Sequence, residues 1–225
     1  MIKAIIFDID NTLYDYDKAQ KAAMNALATF TCENLEISMD EFRNAFNLAR
    51  NETKKLARNL GSSHSRMVYC QKTLEYLGYR PITFALDMYD IFWNTFLEHM
   101  ECDDDLQRVM EYFKCREIKI GICTDLTTHI QHRKLKQMRI EQYVDAMVTS
   151  EEAGAEKPDL KVFKLILKKV GVLPQEALYV GDSLHKDMQG AGTVGMTPIW
   201  IEGNPKICSK YHIITGLGEL LNYEF

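Results

Sequence analysis

The chain has 225 residues, 46% of them hydrophobic, and a formal net charge of −5 at pH 7. This length fits one large domain, or a core with a smaller insert, and the apolar content supports a substantial core. The negative charge offers no general attraction to nucleic acid or to anionic membrane surfaces. No apolar stretch is long enough to cross a bilayer. We therefore expect a protein with neither nucleic-acid nor membrane partners.

The six cysteines, at positions 32, 70, 102, 115, 123 and 208, show no close pairing of the kind that binds metals. We expect them to be reduced thiols that mostly pack in the interior. The N-terminal apolar stretch meets Asp8 too early for a secretory signal peptide. The sequence thus predicts a cytoplasmic protein.

The first strand signal is the apolar run Ala4–Phe7, which is too short for a helix and rich in strand formers. It is typical of a strand buried on both faces of a parallel sheet. The run stops at two carboxylates, Asp8 and Asp10, and ligands of such sheets sit beyond the carboxyl ends of strands. Asp8 could act as a nucleophile toward phosphorus and Asp10 as a general acid. A plain polar turn closing the strand would give the same short pattern.

From about residue 15 to residue 100 the pattern is helical throughout. Helices are predicted to begin near positions 19, 38, 66 and 81, the second with Ser38 and Glu41 as a capping box and an end near Gly61. Because this insert follows the first strand, both of its ends should lie at the carboxyl edge of the sheet. We expect it to be in position to cover a site there.

After residue 101, strand and helix patterns alternate. Strands are predicted over 117–124, 143–149, 177–180, 197–201 and 212–214, and helices over 106–113, 128–138, 160–170 and 186–192. This alternation favours a parallel sheet built from right-handed crossovers. The predicted organisation is an α/β core of residues 1–14 and 101–225, with a helical domain of residues 15–100.

Polar residues stand at the ends of the predicted strands or in loops at the same edge: Thr124, Lys157, Asp182 and Asp187. A threonine hydroxyl can donate to a phosphoryl oxygen, and a lysine can neutralise its charge. Asp182 is well placed as a Mg²⁺ ligand. Each residue also has an ordinary reading as a helix cap, a surface lysine or a turn acid. The combination of all of them with Asp8 favours phosphoryl chemistry.

These residues resemble the four motifs of the haloacid dehalogenase (HAD) superfamily. Residues 8–12 fit the first motif, Thr124 the second, Lys157 with Pro158 the third, and residues 181–187 the fourth. The resemblance covers about 140 residues and implies a Rossmann-like parallel-sheet core flanked by helices. The helical insert after the first strand looks like the C1-type cap of this family.

The resemblance also implies roles. Asp8 would be the nucleophile and Asp10 the general acid and then base. Mg²⁺ would be held by the Asp8 side chain, the Asp10 backbone carbonyl and Asp182. The residues expected to bind the phosphoryl group and substrate are Asn11, Thr124, Asp125 and Lys157, with Asp187 and Ser183 behind them. Asp125 departs from the family, whose close members usually have Asn there.

The insert offers residues for recognising a substrate. His64 and Arg66 lie in a polar loop and could contact a leaving group or a second anion, although a surface loop is an equal alternative. Tyr14 and Tyr16, near the start of the insert, could stack on an aromatic group or simply pack.

The expected activity is that of a Mg²⁺-dependent phosphatase acting on a small phosphorylated metabolite, of the nucleotide or sugar phosphate class, as a monomer or homodimer. A phosphomutase on the same scaffold remains open. A 2-haloacid dehalogenase is disfavoured because relatives of that type lack an acid at the position of Asp10. A non-catalytic phosphate-binding or receiver-like module is disfavoured because all four motifs are intact.

Overall fold

A computed structural model describes residues 1–57 and 60–223 of the chain. The chain forms two compact units, Met1–Asp15 with Cys102–Phe225, and Tyr16–Glu101. Each boundary lies one residue beyond the position expected from the change in sequence pattern. We refer to them as the α/β unit and the helical unit.

The α/β unit contains a parallel sheet in which every strand pair runs in the same direction. Its strands are β1 (Ala4–Phe7), β2 (Lys119–Thr124), β3 (Ala146–Thr149), β4 (Ala177–Gly181), β5 (Thr197–Ile201) and β6 (His212–Ile214). Their order is β3-β2-β1-β4-β5-β6. The predicted α/β class with a parallel sheet is confirmed.

Strand β1 lies at the middle of the sheet, between β2 and β4, and all four of its residues are buried. Ile6 is in register with Gly121 on one side and with Tyr179 on the other. Strand order reverses at this point, because the chain moves outward through β2 to β3 on one side and through β4 to β6 on the other. The carboxyl end of β1 therefore opens at a topological switch point, where ligands of such sheets bind.

The helices of this unit are α5 (Leu106–Cys115), α6 (Thr128–Gln137), α7 (Ser150–Ala153), α8 (Leu160–Val170) and α9 (Gly190–Val194). Helix α8 was predicted with its observed bounds because both its apolar spacing and its C-terminal end have clear sequence signals. Its apolar residues recur at helical spacing and are buried in the core, and Gly171 ends it in the left-handed conformation that glycine adopts without strain.

The helical unit consists of α1 (Tyr16–Leu35), α2 (Met39–Leu56), α3 (Arg66–Tyr76) and α4 (Pro81–Glu98). The predicted capping box is present at the start of α2, where the Ser38 side chain accepts from the Glu41 backbone N–H and Glu41 accepts from the Ser38 backbone. Aromatic side chains of α4, including Phe92, Trp93 and Phe96, pack against one another in its core.

The largest differences between predicted and observed elements are found at three places. Helix α2 ends at Leu56 rather than near Gly61, which instead opens a short 3₁₀ turn, Gly61–His64. Strand β3 begins at Ala146 rather than near residue 143. The helix expected over 186–192 is a π-helical turn, Leu184–Gln189, followed by α9. Among the described residues, no helix is long and apolar enough to span a membrane.

Candidate active site

Asp8 directly follows β1, and its backbone N–H donates to the Val180 carbonyl at 2.9 Å, which extends the sheet ladder by one residue. The side chain is buried, with an oxygen 2.8 Å from the Lys157 ammonium. Burial raises the pKa of Asp8 to about 8, against the opposing effect of Lys157 and with a further contribution from nearby acids. The structure thus holds a carboxylate at the switch point, with a cation beside it.

Lys157 bridges two acids, since its Nζ lies 2.8 Å from Asp8 and 2.7 Å from Asp187. Its side chain is 2% exposed. Burial alone would lower the pKa of Lys157, but the charges of Asp187 and Asp8 outweigh burial and raise it well above its usual value. The lysine is therefore a fixed positive charge at the end of β1.

Asp187 is fully buried and is held on both of its carboxylate oxygens. Oδ1 lies 2.7 Å from Lys157 Nζ and 3.0 Å from the Tyr179 hydroxyl, and Oδ2 accepts from the Ser183 backbone N–H at 3.0 Å. A Cβ at Gly181 would lie 2.6 Å from the Asp187 carboxyl carbon. Glycine at 181 is therefore required for Asp187 to reach Lys157.

Carboxylate oxygens of Asp8, Asp182 and Asp187 all lie within 4.8 Å of one another. Burial and the charge of Asp187 raise the pKa of Asp182 to about 7, which Lys157 partly opposes. Carboxylate oxygens are the donors that Mg²⁺ prefers, and a cation would relieve the repulsion that raises these pKa values. The donor set therefore fits a hard divalent cation. Asp8 and Asp182 are the better candidate ligands, because both oxygens of Asp187 are already bonded whereas Asp8 contacts Lys157 through Oδ1.

Thr124, at the end of β2, is 1% exposed. Its Oγ1 accepts a hydrogen bond from Gln131 Nε2 at 2.9 Å, and the same amide donates to the Asp125 carbonyl at 2.7 Å. The hydroxyl lies 3.4 Å from that carbonyl, a long contact for a donor. Gln131 thereby fills an acceptor position of Thr124 and leaves the hydroxyl hydrogen available for a phosphoryl oxygen.

Asp125 is compensated by a second lysine. Its Oδ1 accepts from the Lys157 backbone N–H at 3.0 Å, and its Oδ2 lies 2.7 Å from Lys186 Nζ. Burial would lower the pKa of Lys186, but the charge of Asp125 raises it. The additional carboxylate is thus directed at a cation and at the loop that carries Lys157.

Asp10 lies two residues after Asp8, and its side chain is 26% exposed. Its Oδ1 is 2.6 Å from the Lys134 ammonium and accepts from the Tyr14 hydroxyl, also at 2.6 Å. Asn11, which follows Asp10 in the sequence, adopts a left-handed conformation with a φ of 57°. This turn places two acids at one strand end in different surroundings.

His64 and Arg66 belong to the helical unit. Arg66 is 8% exposed, and its guanidinium donates to the His64 carbonyl at 3.1 Å and to the Tyr16 hydroxyl at 3.0 Å. Its guanidinium carbon lies 5.1 Å from the ring centroid of Phe92. His64 is half-buried. Substrate contact by these two residues stays a prediction, and Arg66 also serves to join the helices of its unit.

Four residues at the site were not predicted as functional: Gln131, Lys134, Tyr179 and Lys186. Tyr14 was predicted either to stack on an aromatic group or to pack, and its hydrogen bond to Asp10 was not predicted. Tyr179 lies in an apolar strand, and the sequence alone gives no reason to expect more than a packing role for a tyrosine there. Gln131 and Lys134 carry one signal that could have been used: they are polar residues three apart, on the same helix face as buried Ile130 and Leu135.

The sequence matches the family described as haloacid dehalogenase-like hydrolase over residues 5–201. It is 35% identical over 202 residues to the ribulose-1,5-bisphosphate 5-phosphatase of Halopiger xanaduensis, covering 88% of this chain and 84% of that protein. It is 32% identical over 206 residues to the glyceraldehyde 3-phosphate phosphatase of Methanopyrus kandleri, covering 89% and 84%.

Solved structures agree with the sequence comparison. A HAD phosphatase from Thermococcus onnurineus superposes with a TM-score of 0.77 at 27% identity and covers 98% of this chain and 97% of that one. A 2-haloacid dehalogenase from Pseudomonas syringae has a TM-score of 0.78 at 22% identity, with coverage of 99% and 97%, and shows the shared fold alone.

The fold, the acid and lysine cluster and the phosphatase relatives together define the class of the protein as a phosphohydrolase. Within that class, the chain belongs to the haloacid dehalogenase-like hydrolases, as the resemblance in its motifs predicted.

Proposed function

We propose that the chain is a Mg²⁺-dependent phosphatase of small sugar phosphates, which works through an aspartyl-phosphate formed on Asp8. The observation that carries the proposal is the arrangement at the end of β1. There Asp8 lies 2.8 Å from Lys157, and its oxygens lie within 4.8 Å of those of Asp182 and Asp187. The sugar phosphate class is supported by the relatives, which include a ribulose-1,5-bisphosphate 5-phosphatase and glyceraldehyde 3-phosphate phosphatases.

In the first step, an oxygen of Asp8 attacks the phosphorus, and the bond from phosphorus to the leaving oxygen breaks as Asp10 gives that oxygen a proton. In the second step, Asp10 takes a proton from water, whose oxygen attacks the phosphorus, so that inorganic phosphate leaves and Asp8 is regenerated. Phosphoryl transfer of this kind depends on positioning and on charge stabilisation.

Charge stabilisation comes from residues already in place. Lys157 and the Thr124 hydroxyl bind phosphoryl oxygens, while Asp187 keeps Lys157 charged and in position. Mg²⁺ would be held by Asp8, the Asp10 backbone carbonyl and Asp182. Its positive charge would reduce the repulsion between the anionic nucleophile and the anionic phosphate. Asn11 and Asp125 shape the turn and the loop around them.

The proposed partner is a small phosphorylated metabolite, and the helical unit is proposed to serve as a specificity cap. The α/β unit supplies groups for the phosphoryl group, which all phosphomonoesters share. Features that distinguish one ester from another must therefore be recognised elsewhere, and His64 and Arg66 are the candidates before and at the start of α3.

A phosphate-release assay tests the proposal directly. The esters are ribulose 1,5-bisphosphate, glyceraldehyde 3-phosphate, a sialic acid 9-phosphate and a nucleoside monophosphate, each with MgCl₂ or with EDTA. We expect phosphate from at least one sugar phosphate with Mg²⁺ and none with EDTA. The Asp8→Asn protein, checked for its fold by circular dichroism, should be inactive. Phosphate release that is insensitive to EDTA would contradict the metal role, and an isomeric sugar phosphate as product would indicate a mutase.

A further inference from the structure

Lys134 is buried at the catalytic edge of the α/β unit, yet the mechanism above does not use it. It lies on α6, its side chain is fully buried, and its Nζ is 2.6 Å from Oδ1 of Asp10. The Tyr14 hydroxyl donates to the same oxygen at 2.6 Å, and Lys134 Nζ lies 5.6 Å from the Tyr14 ring centroid. Two donors therefore converge on a single oxygen of the second aspartate.

We propose that Lys134 is a positioning residue for Asp10, which fixes the carboxyl group by Oδ1 so that Oδ2 exchanges the proton with the leaving group. This inference rests on the proposed phosphatase function. Lys134 acts through Asp10 and does not itself contact the substrate.

The burial of Lys134 supports a role in geometry over a role in stability. An ammonium group is costly to bury, and replacing a buried ion pair by apolar side chains is often neutral for folding. The two partners also differ in exposure, since the Lys134 side chain is fully buried and 26% of the Asp10 side chain is exposed. This arrangement is expected for a reactive acid whose orientation is fixed by a buried residue on the side away from solvent.

The hydrogen bonds determine which oxygen can carry a proton. Lys134 and Tyr14 both donate to Oδ1, so that oxygen acts as an acceptor, and Oδ2 is the oxygen left to carry the proton that Asp10 exchanges in the proposed reaction. As the bond between phosphorus and the leaving oxygen breaks, the proton passes from Oδ2 to that oxygen, and water returns one in the second step. Lys134 keeps its own protons throughout.

Helix α6 carries a second buried side chain that orients a residue of the site. Gln131 lies three residues before Lys134, on the same side of the helix, and donates to Thr124 Oγ1 at 2.9 Å. One helix thus orients both the residue expected to bind the phosphoryl group and the residue expected to protonate the leaving oxygen.

The test compares two esters in four proteins: the wild type, Lys134→Met, Asp10→Asn and the double variant. One ester is p-nitrophenyl phosphate, whose leaving group needs little protonation, and the other is the sugar phosphate that the wild type prefers. For Lys134→Met, we expect kcat on the sugar phosphate to fall about 100-fold and kcat on the aryl ester by less than about tenfold, with KM little changed. In the Asp10→Asn background, the same change should have no further effect.

The control is Lys136→Met, at an exposed position two residues along α6, which should retain wild-type rates. Equal losses on both esters, or a full loss from Lys134→Met in the Asp10→Asn background, would overturn the proposal. If Lys134→Met does not fold, Lys134→Gln replaces it and the same comparison applies.

Failure of the proposed function gives a different result, because the wild type itself would release no phosphate from either ester. In that case, thermal unfolding of the same four proteins without metal decides the pairing. Additive changes in melting temperature would show that Lys134 and Asp10 are not coupled and would overturn the inference. A non-additive change would support the contact.

Discussion

Lys157 in the α/β unit and Arg66 in the helical unit are both buried cations, but their surroundings are opposite. Lys157 in the α/β unit lies within 2.8 Å of both Asp8 and Asp187. Arg66 in the helical unit contacts a carbonyl, a tyrosine hydroxyl and aromatic rings, and no acid among residues 1–57 and 60–223 forms an ion pair with it. A cation among converging acids creates a site for reaction with an anion, whereas a cation among rings and neutral oxygens mainly joins helices.

The largest expected effect is on activity and follows from removing Lys157. Lys157→Met should lower kcat/KM by about 100- to 1,000-fold, since the phosphoryl group loses its fixed positive charge. Steady-state kinetics on p-nitrophenyl phosphate with MgCl₂ measures the loss. Lys168→Met, at an exposed position on α8, is the matched control and should be unaffected. A loss below about threefold would mean that Lys157 is not part of the site.

The corresponding change in the helical unit should act on stability. Arg66→Met removes charge-assisted hydrogen bonds and contacts with rings, so the free energy of unfolding should fall by about 2–3 kcal/mol. Chemical denaturation measures the change, with Arg50→Met at an exposed position of α2 as the control. Unchanged stability together with a rise of tenfold or more in KM for the sugar phosphate would instead show that Arg66 contacts the substrate.

His64 is tested in the same assay. His64→Ala should raise KM for the sugar phosphate and leave the small aryl ester unaffected, as expected for a residue that recognises the leaving group. Equal effects on both esters would assign His64 to folding or to movement of the helical unit.

The third effect concerns pH and metal in the α/β unit. The pKa values of Asp8 and Asp182 are raised from 3.8 to about 8 and about 7. At pH values between the pKa of these groups in the unfolded chain and their raised pKa in the native protein, the native state binds more protons than the unfolded state. The metal-free protein should therefore lose stability as pH rises through this window.

Mg²⁺ binds the deprotonated carboxylates, so it should stabilise the protein more at pH 8 than at pH 6. Melting temperatures with MgCl₂ and with EDTA at both pH values measure the difference. Asp182→Asn should remove most of the effect of Mg²⁺. An equal gain from Mg²⁺ at the two pH values would argue against these acids as its ligands.

The smallest effect concerns the charge of Asp125, which Lys186 compensates. Lys186→Met leaves the Asp125 charge uncompensated near the phosphoryl site, so KM should rise by about three- to tenfold. Asp125→Asn in the same background should restore KM, because the charge that repels substrate is then gone. If the double variant stays as impaired as Lys186→Met, Lys186 acts independently of Asp125.

Local signals explain how much of the fold could be predicted. Strand β1, the capping box at Ser38 and the end of α8 at Gly171 each depend on residues within a few positions of one another. Strand β3 was predicted too long, since propensity alone does not show where pairing with β2 begins. The π-helical turn before α9 could not be predicted from helical spacing, which assumes 3.6 residues per turn.

The site was predictable only in part, for a related reason. Residues at strand ends are found from the strand pattern, because parallel strands bring their carboxyl ends to one edge. Lys134 meets Asp10 across 124 positions of sequence, and Tyr179 meets Lys157 from inside an apolar strand. Such partners are set by how α6 and β4 pack in the folded unit, and no pattern in one sequence specifies that packing.

The central claim is that Asp8 carries the phosphoryl group during turnover. The most direct test is to mix enzyme with a saturating sugar phosphate and MgCl₂, quench in acid within the first turnovers, and locate the phosphoryl group by peptide mass spectrometry. We expect a phosphoryl adduct on the peptide that contains Asp8, absent with EDTA and absent in Asp8→Asn. An adduct on a different residue, or phosphate release by Asp8→Asn at the wild-type rate, would contradict it.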